Sequence, residues 1–237
     1  MAASIWERRT KRGEQVYQFN FAPVFNALDM LLVGVWFTIQ MSVAAMSLGL
    51  VVSLVGAAIK TSGPRPLRLC VDIYVELIRN TPFLVQIFFI FFGLPALGIR
   101  LSPNTTALLA LTINFGAYGT EIIRAGIKSI SKGQIEAAQA IGLSWLQVLQ
   151  YVVIKPALRA VYPALTSQFI FLMLGSSVVS AISATDLTAA ANDLNSLTFA
   201  SFEVYLVTTV IYLALSILFS TIFAGIGRLC FAYPVNR

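Results

Sequence analysis

A chain of 237 residues that is 58% hydrophobic and 11% charged falls outside the soluble globular range, where about 25% of residues are charged, and leaves no polar stretch long enough to bury a core of its own. Histidine is absent, which excludes imidazole catalysis and histidine metal centres, and the two cysteines, Cys70 and Cys230, are too few and too distant for a zinc site or a disulfide framework. The net charge of +6 fits either a nucleic-acid partner or the cytoplasmic edges of a membrane protein, and the placement of the charges decides between them.

In chain order, residues 1–27 mix Arg8, Arg9, Lys11 and Arg12 with Tyr17, Phe19, Phe21 and Phe25, a composition that predicts an interfacial segment and not a cleaved signal. Residues 31–59 carry no charge and exceed the roughly 20 residues a bilayer core needs, so they form a first span, ended by Lys60. After a basic, turn-rich loop at 61–68, Val71, Tyr74, Val75 and Ile78 recur at the spacing of an amphipathic helix flanked by Glu76 and Arg79. Thr81 before Pro82 predicts an N-cap and a first-turn proline opening an apolar helix to about residue 97. That helix is short for a span, so it is expected to continue the amphipathic one through a kink at the proline. Further spans are predicted at 106–123, 161–182 and 204–229, which brings the count to five in an all-α integral membrane fold.

Eleven of the sixteen lysines and arginines fall after the first span, around the central polar segment, or in the tail. The positive-inside rule therefore places the N-terminus outside and the C-terminus in the cytoplasm, with both cysteines on the reducing side. The connection at 185–203 has no basic residue and three acidic ones, Asp186, Asp193 and Glu203, which suits the outer face.

The central segment at 131–159 is the one long polar-bearing interruption. Ser131 with Gln134 and Ser144 with Gln147 each fit a capping box, and Gly142 between them suits a left-handed helix end. A short helix, a tight turn and a second helix ending at Pro156 are predicted. The spacing of Ala138, Gly142 and Val148 also matches a DNA-binding helix-turn-helix. Residues 145–154, however, contain no lysine or arginine to meet phosphates, which argues against nucleic acid and for docking onto a cytoplasmic protein.

Polar residues inside spans either pack helices or line a route through the protein. Asn114, Tyr118 and Glu121 share one helix face, with Arg124 one turn beyond to neutralise the glutamate. Gln168, Ser176 and Ser177 on the fourth span, and Glu76 and Gln86 before it, are further candidates for a substrate route, although the serines also suit close helix packing. No phosphate-binding loop of the G-x-x-x-x-G-K-[ST] type and no paired carboxylates occur, so neither ATP hydrolysis nor another catalytic activity is expected of this chain, and no metal or cofactor.

Glu136, Ala137 and Ala138, with Gly142 six positions after the glutamate, resemble the EAA loop of permease subunits of ATP-binding-cassette importers. The stretches VELIRNTPFLVQIFFIFFGLP, AYGTEIIRAGIKSISKGQIEAAQAIGLS and FEVYLVTTVIYLALS are similar to the polar amino acid branch of that family (histidine, glutamine, glutamate or opine type), and the likeness runs from about Leu31 onward. The resemblance implies a transmembrane permease domain at 28–237, of the five-helix type I importer core, with the cytoplasmic loop at about 125–160. It implies residence in the bacterial cytoplasmic (inner) membrane. It also implies a second permease subunit, identical or related, two cytoplasmic ATPase subunits and an extracytoplasmic solute-binding protein. The ATPase contacts it implies are Glu136, Ala137, Ala138, Ile141, Gly142 and Ser144. Two departures stand out: the family's usual proline falls at Lys155, one position before Pro156, and Leu174 and Gly175 replace a lysine–aspartate pair found in many relatives. An opine or other amino acid conjugate is the alternative substrate, and a stand-alone secondary transporter the alternative function.

Overall fold

The computed structural model describes residues 19–231; the expectations for residues 1–18 and for Arg237 lie outside the described residues. Among the described residues the chain is helical without strands. A short α1 (Ala22–Asn26) leads into α2 (Leu28–Ser62), α3 (Arg65–Arg79), α4 (Phe83–Ala96) and α5 (Pro103–Lys128). The projecting α6 (Lys132–Ala140) precedes α7 (Trp145–Ile182), α8 (Leu187–Thr198) and α9 (Ser201–Phe231). Four of these, α2, α5, α7 and α9, are long and apolar enough to cross a membrane, and the bent pair α3–α4 makes up to a fifth. With 35 residues α2 is about 52 Å long at 1.5 Å per residue, more than the roughly 30 Å of a hydrocarbon core, so it must tilt or project.

The scaffold is the α2–α5 pair, the most extensive helix contact in the chain. Small residues set the close approach: a Cβ on Gly49 would lie 2.8 Å from Cδ1 of Phe115, and one on Gly119 would overlap Ser53. Ser53 settles its buried hydroxyl by donating to the Gly49 carbonyl at 2.7 Å and, across the interface, to that of Gly116 at 3.2 Å. Around this pair Met41, Ile87, Ala107, Leu111, Phe115 and Leu172 form the main apolar core. The last helix, α9, leans on α7 through rings, with Phe169 5.1 Å from Phe223 and 4.9 Å from Phe219, and through the Tyr162 hydroxyl, which donates to the Phe223 carbonyl at 2.7 Å.

Three sequence expectations need correcting. Instead of a kink, α3 and α4 meet at 110°. Thr81 does not cap α4: Pro82 occupies the N-cap, and the Thr81 hydroxyl folds back to donate to the Leu77 carbonyl at 2.7 Å. Gln86 fastens the corner, its Nε2 donating to the carbonyls of Ile78 at 2.7 Å and Thr81 at 3.0 Å, carbonyls freed where α3 ends. Second, the helix does not stop at Pro156. It is π-wound over Val148–Ile154 and then continues as α-helix from Lys155. The wider turns displace the carbonyl that the proline ring would otherwise strike, so the chain passes through the proline unbroken. Third, the connection at 185–203, for which no helix is predicted from the sequence, contains the 12-residue α8. Its N-cap Asp186 is buried and accepts the backbone N–H of Ala189 at 2.8 Å and of Thr188 at 3.1 Å. Burial pushes the Asp186 carboxyl up from its ordinary range, against these two bonds and the Tyr212 hydroxyl, which pull it down.

Candidate functional site: a polar cavity and a projecting turn

A cavity of about 390 Å³ opens between α4, α5 and α7, within the size range of small-molecule sites. Its polar lining is Asn114 and Tyr118 from α5, Gln168 from α7 and Thr81 from the α3–α4 corner; its apolar wall includes Phe83, Leu111 and Phe171, and Gly175 leaves a gap. No charged side chain lines it. Amide and hydroxyl groups both donate and accept, so such a lining can meet both ends of a zwitterion without selecting a charged side chain. A Cβ built on Gly175 meets nothing within 4 Å, so the glycine widens the cavity without being required by helix packing.

The remaining candidates from the sequence have other neighbours. Gln86 stands behind the cavity, where its Oε1 accepts from the Asn114 side chain at 3.1 Å and ties the corner to α5. Ser176 lies outside the cavity lining. It is fully buried, and its hydroxyl donates to the Met173 carbonyl at 2.7 Å, satisfied on its own helix where the winding tightens to 3₁₀. Ser177 lies in the same tightened turn outside the lining, its carbonyl accepting from the Ser180 hydroxyl at 2.8 Å. Glu76 is exposed and accepts from the Asn80 side chain at 2.7 Å.

Glu121 also lies outside the cavity lining, in an ion network. Its Oε2 accepts from Nη2 of Arg124 at 2.5 Å, and its Oε1 from Nζ of Lys60 at 2.5 Å. Lys60 in turn reaches Oδ1 of Asp72 at 2.7 Å. Three helices, α2, α3 and α5, are thereby joined at one end of the scaffold, one turn below Tyr118, whose ring lies under the Arg79 guanidinium at 5.6 Å. The neutralisation by Arg124 was legible as an i, i+3 pair. Lys60 and Asp72 were not, because only the fold brings them to Glu121.

The second feature is the turn between α6 and α7. Ser131 and Gln134 close their capping box, Gln134 N–H donating to the serine hydroxyl at 3.4 Å and Ser131 N–H to the glutamine side chain at 3.2 Å. Gln147 accepts the Ser144 N–H at 2.9 Å at the next helix start. Gly142 takes φ of +85°, and Leu143 N–H returns to the Ala138 carbonyl at 3.2 Å, a Schellman closure. Glu136, Ala137, Gly142 and Ser144 are exposed on this turn. Ala138 is the buried residue of α6, on the side packed against the π-wound start of α7, where a larger side chain would pry the two apart. Ile141, Trp145 and Leu146 are 79%, 63% and 73% exposed, an apolar knob beside Glu136 of the kind that anchors protein contacts. The sequence does not single out the two residues after Ser144, since helical periodicity does not say which apolar side chains remain uncovered.

Residues 45–229 match the family described as binding-protein-dependent transport system inner membrane component. The probable glutamine ABC transporter permease protein GlnM of Bacillus subtilis is 35% identical over 198 residues, which span 84% of this chain and 92% of that protein. The L-cystine transport system permease protein TcyB of the same organism is 36% identical over 177 residues, 75% of this chain and 73% of that one. Among solved structures, a crystal structure of an amino acid ABC transporter with histidines contains a chain with TM-score 0.84 and 33% identity, covering 90% of this chain and 99% of that chain.

Proposed function

Since this chain belongs to the family of binding-protein-dependent transport system inner membrane components, permease subunits of ABC transporters, we propose that it forms the membrane route for a polar amino acid with an uncharged side chain. The relative named for glutamine supports that class, and so does a cavity lined by Thr81, Asn114, Tyr118 and Gln168 with no charged group. One observation carries the coupling: α7 runs without a break from the exposed turn at Trp145 to the cavity wall at Gly175. The 31 residues from Trp145 to Gly175, about 45 Å at the α-helical rise, make a lever by which force applied at the turn reaches the cavity.

The force comes from cytoplasmic ATPase subunits that receive Glu136, Ala137, Ile141, Gly142 and Ser144, with Trp145 and Leu146 as apolar anchors. Ala138 supports the turn from within. This subunit hydrolyses nothing itself. A second permease, identical or related, completes the route, and an extracytoplasmic binding protein delivers the solute. The N-terminus is outside and the C-terminus cytoplasmic, the orientation that the larger share of lysine and arginine supports.

Gly175→Leu tests the cavity. The position has room for a side chain and leucine favours helix over glycine, so the protein should keep its thermal stability and its ATPase partners while uptake is largely abolished. Unchanged uptake of the same amino acid would show that solute does not pass this cavity.

A further inference from the structure

Between α2 and α3, on the opposite side of the scaffold from the solute cavity, lies an apolar crevice of about 280 Å³ lined by Val51, Val52, Val55, Ile59, Val71 and Tyr74. We propose that this crevice is a binding site for an anionic phospholipid, one acyl chain lying in the crevice and the phosphate held by Arg68 with Arg65.

Shape and surroundings favour a lipid chain over a soluble ligand. Val51 and Val55 are exposed although they belong to a membrane-spanning helix, so hydrocarbon is their natural neighbour. At about 30 Å³ for a water-sized group, the crevice holds roughly nine methylene-sized units, a stretch of one acyl chain. The Tyr74 hydroxyl is turned inward, donating to the Ile113 carbonyl at 2.6 Å, which leaves the ring as apolar lining.

Charge selects the headgroup. Arg68 precedes Val71 by three residues and so lies on the same face of α3, one turn toward the α2–α3 corner. Its Nη2 donates to the Gly63 carbonyl at 2.8 Å, which holds the guanidinium at the corner with most of its five donors unused. Neither Arg65 nor Arg68 has a carboxylate partner among the described residues, since Lys60 takes Asp72. Along the outer face of α3, Leu69, Ile73 and Leu77 follow Arg65 at four-residue intervals and are exposed, the row that an interfacial helix presents to lipid. An arginine held at the α2–α3 corner, one turn from Val71 of the crevice, can offer paired donors to a phosphate attached to an acyl chain. An anionic headgroup leaves the net charge to be neutralised by the two arginines, which a zwitterionic one does not.

The test uses the assembled transporter, delipidated in detergent and titrated with dioleoylphosphatidylglycerol or dioleoylphosphatidylcholine, bound lipid being counted by native mass spectrometry. Phosphatidylglycerol should bind more tightly than phosphatidylcholine. Since one near-surface arginine is worth about a fivefold change in affinity for anionic lipid, R65Q/R68Q should weaken phosphatidylglycerol about 25-fold. Val55→Trp, which fills the slot from an exposed position, should weaken both lipids and leave the ATPase bound. Equal binding of the two lipids, or an R65Q/R68Q complex that binds as the wild type does, would overturn the proposal. So would binding of glycerol 1-phosphate alone at the affinity of the lipid, which would mark a free-anion site. A Val55→Cys thiol shielded from maleimide in the delipidated complex would overturn it as well, because a protein subunit would then cover the crevice.

Discussion

Glu121→Gln removes the carboxylate on which two cations converge. In the native chain Arg124 donates three bonds to it, from Nε at 3.2 and 3.0 Å and from Nη2 at 2.5 Å, and Lys60 donates a fourth at 2.5 Å. Glutamine keeps one carbonyl acceptor but turns an NH₂ group toward a cation. Lys60 retains Asp72. Arg124 retains nothing of comparable strength. Removing one partner of a fully buried ion pair costs about 3–5 kcal/mol, and an exposed pair is worth about 0–1 kcal/mol. The side chains of Lys60, Glu121 and Arg124 are 12%, 16% and 27% exposed, so water can reach the stranded guanidinium in part and the cost falls between these limits, at about 2 kcal/mol. For a domain of this size that lowers the melting temperature by about 4–8 °C. Removing the cation as well, in E121Q/R124Q, should recover roughly 1 kcal/mol of the loss. Differential scanning fluorimetry of the detergent-purified complex reads both variants. An E121Q protein that melts with the wild type, but transports a different solute, would refute the reasoning and return Glu121 to the substrate route.

Glu136→Lys should weaken ATPase docking by roughly 2 kcal/mol or more, the range for reversing a paired charge at an interface, without lowering the melting temperature, since Glu136 is exposed. Co-purification of the ATPase reads the first effect and fluorimetry the second; undiminished ATPase binding would count against the docking role. The protein should be pH-sensitive at the start of α8, through Asp186. Because burial raises its pKa in the folded state, the folded protein binds the proton more tightly than the unfolded one, and stability should fall as pH rises from the ordinary aspartate range through that raised value. Asp186→Asn keeps a capping oxygen and should flatten that slope in melting curves taken across pH, whereas an unchanged slope would place the titrating group elsewhere.

Much of the fold was legible because membrane spans announce themselves by length: the uncharged run at 31–59 lies within α2, and the apolar runs ending near 182 and 229 lie within α7 and α9. The turn at Gly142 was legible for a different reason, since capping boxes and a left-handed glycine are local chemistry, complete within a few residues. Pro156 misled because a proline's effect depends on the winding around it, and π turns are not written in propensities. The 110° corner was equally hidden: Thr81–Pro82 marks a break but not its angle, which is set by Gln86 reaching back to Ile78 and across to Asn114. Helix α8 does not show in the charge pattern of its acidic, basic-free connection, although Asp186 before Ala189 is a sound N-cap signal. The candidate site divided in the same way. Asn114, Tyr118 and Gln168 come to one cavity from two helices, whereas Ser176 was a polar residue whose own backbone satisfied it.

The central claim, that this chain is a solute route opened by a separate ATPase, is tested most directly by reconstituted uptake. Proteoliposomes holding the permease, its ATPase and its binding protein should accumulate labelled glutamine or another uncharged polar amino acid when ATP is present at the ATPase face, and should stop when the ATPase is omitted. Uptake that persists with the permease alone would contradict the account and make the chain a stand-alone transporter.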